Sequence, residues 1–287
     1  MSDFTTADTP GKAQAAEAAG AVGFAPHALD LPGPSRGGGP PLLLVHGWGG
    51  DAEEWLPVAE RLASRHRVLI PDLPGHGRTP FRPGRAGPRQ VAADLAGWLE
   101  RLGTGPVIAV GHSMGGHVVT ALSVAHSGLV RSVVTLGTGF GGGPGAHRRV
   151  ATEQEELRRE GTAWAARFAE RAFSPQAPPG LRERHVRLMR AMDPEVLLAY
   201  REGMYLAPGA FGLREAAAAY LRGRRCPSLA VHTSPEAAAW ERGLPRQHPA
   251  SRVLLWEGCG HYPHEERPAE TAALLREWAA ERAGGSG

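Results

Sequence analysis

The stretch Pro106–Gly116 joins an apolar run, Pro106-Val107-Ile108-Ala109-Val110, to a serine in a glycine-flanked turn, Gly111-His112-Ser113-Met114-Gly115-Gly116. A strand that reverses sharply into a helix leaves no room for side chains around the turn, so Gly111 and Gly115 let Ser113 stand exposed. The backbone N–H groups that open the following helix have no partner within it. They sit at the positive end of its dipole, where a developing oxyanion can be held. A serine hydroxyl is a weak nucleophile at its free pKa and needs a base, most often a histidine that folding brings near. His261, in Glu257-Gly258-Cys259-Gly260-His261, is the candidate: it follows the loop glycines just past the last strand, and the order of serine first and histidine last suits such a site. Its rival His264 begins to enter the terminal helix. A second oxyanion donor beside the Met114 N–H is expected from Val45-His46-Gly47-Trp48-Gly49-Gly50, as the Trp48 N–H, with the indole lining an acyl pocket.

These residues need a scaffold, and the sequence supplies one. Apolar runs at Pro41–His46, Arg67–Pro71, Val107–Val110, Val130–Leu136, Ser228–His232 and Arg252–Trp256 alternate with helical periodicity at Glu53–Ser64, Gln90–Leu102, Gly115–Ala125, Glu236–Gln247 and Glu266–Arg282. Strands separated by helices predict an α/β fold with a doubly wound, mostly parallel sheet. From about Phe140 to Arg225 the rhythm breaks into a glycine-rich, then helical and arginine-rich stretch with no convincing strand. The expected organisation is a leader over 1–20 with little to bury, a core over 21–139 and 226–287, and an inserted helical cap over 140–225 above the carboxyl ends of the strands.

With 287 residues, 42% of them hydrophobic, the chain can bury one large core. The net charge is +3 and Lys12 is the single lysine, with no basic tail, so nucleic acid is not an expected partner. Cys226 and Cys259 have no motif spacing and read as reduced thiols. There is no basic start followed by an apolar leader, and no run long enough to cross a bilayer, so a cytoplasmic, soluble protein without a membrane partner is expected. His112 with His117, and His261 with His264, lack a carboxylate at ligand spacing, and no dinucleotide or phosphate-loop fingerprint occurs, so no cofactor is expected.

Four motifs stand together in order: His46-Gly47-Trp48-Gly49-Gly50, Pro71-Asp72-Leu73-Pro74-Gly75-His76-Gly77-Arg78-Thr79, the serine elbow and Gly258–His261. Jointly they resemble the α/β-hydrolase superfamily over roughly residues 41 to 280. Within it, His-Gly-Trp-Gly followed by Glu54-Trp55 is similar to the esterases that demethylate pimeloyl-carrier-protein methyl ester, although lactonases, haloperoxidase-like enzymes and carbon–carbon bond hydrolases share most of these residues. The resemblance implies a triad acid, usually an aspartate in the loop after the strand that here is Ser228–His232. This chain reads His232-Thr233-Ser234-Pro235-Glu236, and counting along the strand makes Glu236 the expected acid, with the start of a helix as the competing role for that residue. In the Pro71–Thr79 turn, Asp72, His76 and Arg78 are expected to be structural.

The expected activity is a serine hydrolase that cleaves a carboxylic ester or thioester through an acyl-enzyme on Ser113. A serine rather than an aspartate at the elbow argues against displacement at carbon. The alternative is a hydrolase-fold binding protein or a non-hydrolytic biosynthetic catalyst using the same pocket. Arginines of the 140–225 stretch, such as Arg148, Arg149, Arg158 and Arg159, fit an acidic partner: an acyl carrier protein, a free carboxylate or a phosphopantetheine group. Interleaved with glutamates, they equally fit solvated helix faces held by local ion pairs.

Overall fold

The computed structural model describes residues 23–35, 37–143 and 145–283; the expected leader over 1–20 lies outside them. The chain builds a seven-stranded sheet in the order β1-β3-β2-β4-β5-β6-β7. Its strands are β1 (Ala28–Leu31), β2 (Leu42–Val45), β3 (Val68–Pro71), β4 (Val107–His112), β5 (Val130–Leu136), β6 (Ser228–His232) and β7 (Arg252–Leu255). All neighbours pair in parallel except β1, which runs antiparallel to β3 with Ala28 opposite Pro71 and Leu31 opposite Val68. β1 is not among the strands expected from the sequence, because its four residues, three half-buried and Asp30 exposed, are too short a run in a proline-containing stretch to stand out.

Strands β2, β3 and β4 are buried along their whole length, as continuous apolar runs must be when helices cover both faces. The period of two divides their side chains. Leu42, Leu44, Ile108 and Val110 face a core with Trp55, Val58, Leu275 and Trp278, from helices α1 (Leu56–Leu62) and α11 (Pro268–Ala283) and the short turn ahead of α1. Leu43, Val45, Val107 and Ala109 face the core built with α2 (Pro88–Leu102) and α3 (Met114–Ala125).

Between β5 and β6 lie α4 (Ala146–Glu160), α5 (Thr162–Glu170), α6 (Leu181–Ala191), α7 (Pro194–Tyr205) and α8 (Arg214–Leu221). Leu157, Trp164, Leu197, Tyr200 and Met204 from these helices share the apolar core of α2 and α3. Two more short helices, α9 (Pro235–Arg242) and α10 (Pro263–Glu266), frame the ends of β6 and β7. The terminal helix expected over Glu266–Arg282 starts as α11 at Pro268 and is preceded by α10, since proline has no N–H to continue a helix running into it. Among the described residues no helix is long and apolar enough to cross a membrane.

Candidate active site

Ser113 sits between β4 and α3 with φ +48° and ψ −114°, the one non-glycine residue with positive φ among those described. The surroundings hold it there. Its carbonyl accepts hydrogen bonds from Thr138 Oγ1 at 3.1 Å and His117 Nδ1 at 3.3 Å, and its N–H donates to the Leu136 carbonyl at 2.9 Å. A Cβ on Gly111 would collide with the Gly115 backbone, and one on Gly115 with the Val45 and His46 carbonyls, so both glycines are required by close approach of the chain to itself. Strain of this kind persists only where the fold over-determines it.

The loop after β7 carries His261 to this serine. Glu266 locks that loop by accepting from the Gly260 N–H at 3.1 Å and from the Ser174 N–H and hydroxyl at 3.1 and 2.5 Å. The His261 N–H donates to the Ala172 carbonyl at 2.6 Å, and its carbonyl accepts from His112 Nε2 at 2.8 Å. The ring then lies with Nε2 2.8 Å from Ser113 Oγ, the geometry in which the hydroxyl donates to an unprotonated nitrogen. Burial, together with the charges of His112 and His264, pushes the His261 pKa down to about 3, so the ring is a neutral base across the physiological range.

The loop Gly47–Gly50 faces Ser113 with a particular pattern of hydrogen bonds. The Gly47 N–H donates to Glu54 Oε1 at 3.1 Å and the Gly49 N–H to His76 Nε2 at 3.2 Å. Between them, the Trp48 N–H makes no hydrogen bond within the described residues, and neither does the Met114 N–H at the first position of α3. His76 can accept because burial and the His46 charge push its pKa down to about 3 and keep it neutral. The Trp48 indole is buried, donating to the Leu197 carbonyl at 3.1 Å. Asp72 is a structural anchor, accepting from Ala52 N–H at 2.8 Å, Arg78 N–H at 3.0 Å and His27 Nδ1 at 2.8 Å.

Glu236 is not brought to His261, which corrects its expected place as the triad acid. Ser234 accepts from the Ala237 N–H at 3.4 Å and Pro235 opens α9, so Glu236 falls in the first helical turn and points outward. Its carboxylate, 72% exposed, pairs with Arg214 at 2.8 Å. Thr233 and Ser234 instead line the cavity next to His261. His264 is buried against Trp55, with ring centroids 4.2 Å apart, and faces away from the serine toward Glu54.

Glu54 enters from the sequence only in the Glu54-Trp55 pair of the resemblance, with no site role expected of it. Glu54 Oε1 lies 3.5 Å from His112 Nδ1 and 3.3 Å from His264 Nε2, and none of the three side chains reaches solvent. Glu54, His112 and His264 bring donor atoms within 4.8 Å of one another, as do Glu54, His185 and Glu265, so either set could ligate a cation. Burial alone would push the Glu54 carboxyl up, but the His112 and His264 imidazoles outweigh it and hold it well below the usual carboxylate range.

Ser113 and His261 open onto a cavity of about 340 Å³. Trp48, Phe168, Met204, Tyr205 and Tyr262 supply apolar wall, while Arg149, Glu153 and Arg201 bring charge into it. Of the other arginines noted in the sequence, Arg158 pairs with Glu155 and Arg159 with Glu160, on solvent-exposed helix faces.

The fold as a whole has counterparts in known proteins. A thermophilic esterase from Thermogutta terrifontis, solved with malate bound, superposes with a TM-score of 0.75 at 28% identity, covering 90% of this chain and 93% of that one. The chain is 35% identical to the pimeloyl-[acyl-carrier protein] methyl ester esterase of Vibrio vulnificus over 107 residues, 37% of this chain and 40% of that protein. It is also 35% identical to the (E)-2-((N-methylformamido)methylene)succinate hydrolase of Acinetobacter baylyi over 105 residues, 35% of this chain and 38% of that protein. The matching segments thus span well under half of these curated relatives. The alpha/beta hydrolase family profile, by contrast, matches residues 42–274, from β2 into the terminal helix, and the chain belongs to the alpha/beta hydrolase family.

Proposed function

We propose that this hydrolase cleaves a carboxylic ester or thioester, with Ser113 as nucleophile and His261 as base. The observation that carries the reading is the 2.8 Å approach of His261 Nε2 to Ser113 Oγ at a strained turn opening on a cavity. Ser113 Oγ attacks the acyl carbonyl while its proton passes to His261. The N–H groups of Trp48 and Met114 stabilise the oxyanion, and the imidazolium returns the proton to the leaving alkoxide or thiolate. Water, deprotonated by the same ring, releases the acid. The 140–225 segment acts as a cap that walls the cavity, and the substrate is a small-molecule acyl ester. An ester borne on an acyl carrier protein is supported by the pimeloyl-[acyl-carrier protein] methyl ester esterase relatives alone.

A second reading, a binding protein with little turnover, is favoured by the lack of a carboxylate hydrogen-bonded to His261 among the described residues. Incubation with a fluorophosphonate, alongside p-nitrophenyl butyrate hydrolysis, separates the two. Covalent labelling that maps to Ser113 together with turnover is expected; neither labelling nor turnover would establish the binding protein.

Glu236→Gln is expected to leave kcat/KM within about twofold of wild type and stability within about 1 kcal/mol, because an exposed ion pair contributes little. A loss of tenfold or more in ester hydrolysis would return Glu236 to the catalytic group.

A further inference from the structure

Arg201 on α7 is the most confined cation in the cavity wall, only 7% exposed. Its guanidinium carbon lies 5.9 Å from the Trp48 ring, 5.1 Å from Trp164 and 5.8 Å from Tyr205, so aromatic faces surround it and exclude water. Of its five N–H donors, Nη2 binds Glu153 at 2.8 Å, the one hydrogen bond this side chain makes among the described residues. Nε is buried with no partner. A buried guanidinium with one ion pair and an unsatisfied donor is an incomplete arrangement, since buried charge is ordinarily saturated with hydrogen bonds. Arg149, also at the cavity wall, donates from Nη2 to the Gly142 carbonyl at 3.1 Å and adds a second positive charge. With Glu153 as the one carboxylate lining the cavity among the described residues, positive charge exceeds negative there.

We propose that Arg201, supported by Arg149, is an anion subsite in the Ser113 cavity, and that the substrates are esters or thioesters that carry a free carboxylate. This rests on the reading of Ser113 as an acyl nucleophile. The planar guanidinium and planar carboxylate match in shape, and the aromatic walls lower the local dielectric, which strengthens a charge-assisted bond. Glu153 holds Arg201 in place and competes with the ligand for its donors. The subsite therefore selects for a carboxylate without binding every passing anion tightly.

The test compares monoethyl esters of succinate, glutarate and adipate with the ethyl alkanoates of matching length, using the full chain and following acid release by pH-stat. For at least one length the carboxylate ester is expected to have a kcat/KM about tenfold or more above its neutral counterpart, the size of one charge-assisted hydrogen bond. Arg201→Met should collapse that ratio toward one, Arg201→Lys should retain part of it, and Glu153→Gln should raise it. A purely structural Arg201 would slow both ester series equally and leave the ratio unmoved, which would overturn the proposal, as would wild-type preference for the neutral ester at every length. Equilibrium binding of glutarate, read as a thermal shift, is independent of turnover. If no ester is hydrolysed, glutarate stabilisation that is lost in Arg201→Met, or in Glu153→Gln turns stronger, upholds the subsite while the hydrolase reading fails; no shift with any of the three diacids removes the subsite.

Discussion

Replacing Ser113 by alanine is expected to abolish fluorophosphonate labelling and to lower kcat for ester hydrolysis by roughly 100-fold, with His261→Ala falling to a similar level. In a complete Ser-His-acid site, losing the nucleophile costs roughly a million-fold in kcat and losing the acid alone roughly ten-thousand-fold, because the three groups act as a unit. Here no carboxylate hydrogen-bonds to His261 among the described residues, so the ratio of those two numbers, roughly 100-fold, is what the Ser113–His261 pair still has to lose. The double variant should be no worse than either single one. A loss near a million-fold would mean that an acid reaches His261 in the working enzyme, and undiminished turnover in Ser113→Ala would remove the serine from the mechanism.

The same geometry sets the pH profile. The base works only when neutral, and the folded pKa of His261 is pushed below the free value of 6.5, to about 3, by burial and by its histidine neighbours. As pH falls through 6.5, where an unperturbed histidine would protonate, this ring stays neutral, so kcat/KM should hold its plateau and decline only toward the folded pKa. A hydrogen-bonded carboxylate would act in the opposite sense, raising the pKa and moving the acid limb toward neutrality. An acid limb of kcat/KM at or above pH 6.5 would therefore contradict the present environment of His261.

The central strands are legible because β2, β3 and β4 are unbroken apolar runs, whereas β1 lies at the sheet edge and its four residues are too few for the Leu29-Asp30-Leu31 alternation to stand out. The turn that displays Ser113 is legible for a steric reason: Gly111 and Gly115 pass so close to other backbone that no side chain fits, and glycine spacing records such constraints directly. Glu236 misleads because counting along a strand assumes that the loop beyond it is extended, while Ser234 and Pro235 start a helix at once and local capping decides where the next side chain points. Neither Arg201 nor Glu54 carries a local signal of its role in the site. Arg201 sits in a mostly apolar helix, 48 residues from Glu153, and its aromatic cage draws on Trp48, Trp164 and Tyr205 from three separate elements. Glu54 reads as one of two adjacent acids near the start of a helix until folding encloses it between two histidines.

That enclosure makes Glu54 the residue whose loss should cost most in stability and still register in the chemistry. Its carboxylate accepts the Gly47 N–H at 3.1 Å, which fixes the loop presenting the Trp48 N–H, and it faces His112, whose Nε2 donates to the His261 carbonyl at 2.8 Å. It thus touches both walls of the site without touching the reacting atoms, as a positioning residue. Glu54→Leu removes the acceptor, leaving the Gly47 N–H buried and unpaired and the His112 and His264 rings without their carboxylate neighbour. Leaving buried polar groups unsatisfied costs about 1–3 kcal/mol each, so with the Gly47 N–H and two rings affected the loss should reach about 3 kcal/mol or more, and at about 2–4 °C per kcal/mol Tm should fall by at least roughly 6 °C. Because a misplaced oxyanion donor is felt in the transition state rather than in substrate binding, kcat should drop at least about tenfold with KM little changed. Glu54→Gln keeps an oxygen for the Gly47 N–H and should recover much of the kcat while recovering less of the Tm, since the charge opposite His112 and His264 is gone. Buried ion pairs can also be replaced by apolar residues at no loss, so a Glu54→Leu protein as stable as wild type would mean that the cluster contributes nothing net. Equal falls of kcat in the Gln and Leu variants would place the effect in charge alone rather than in the hold on Gly47.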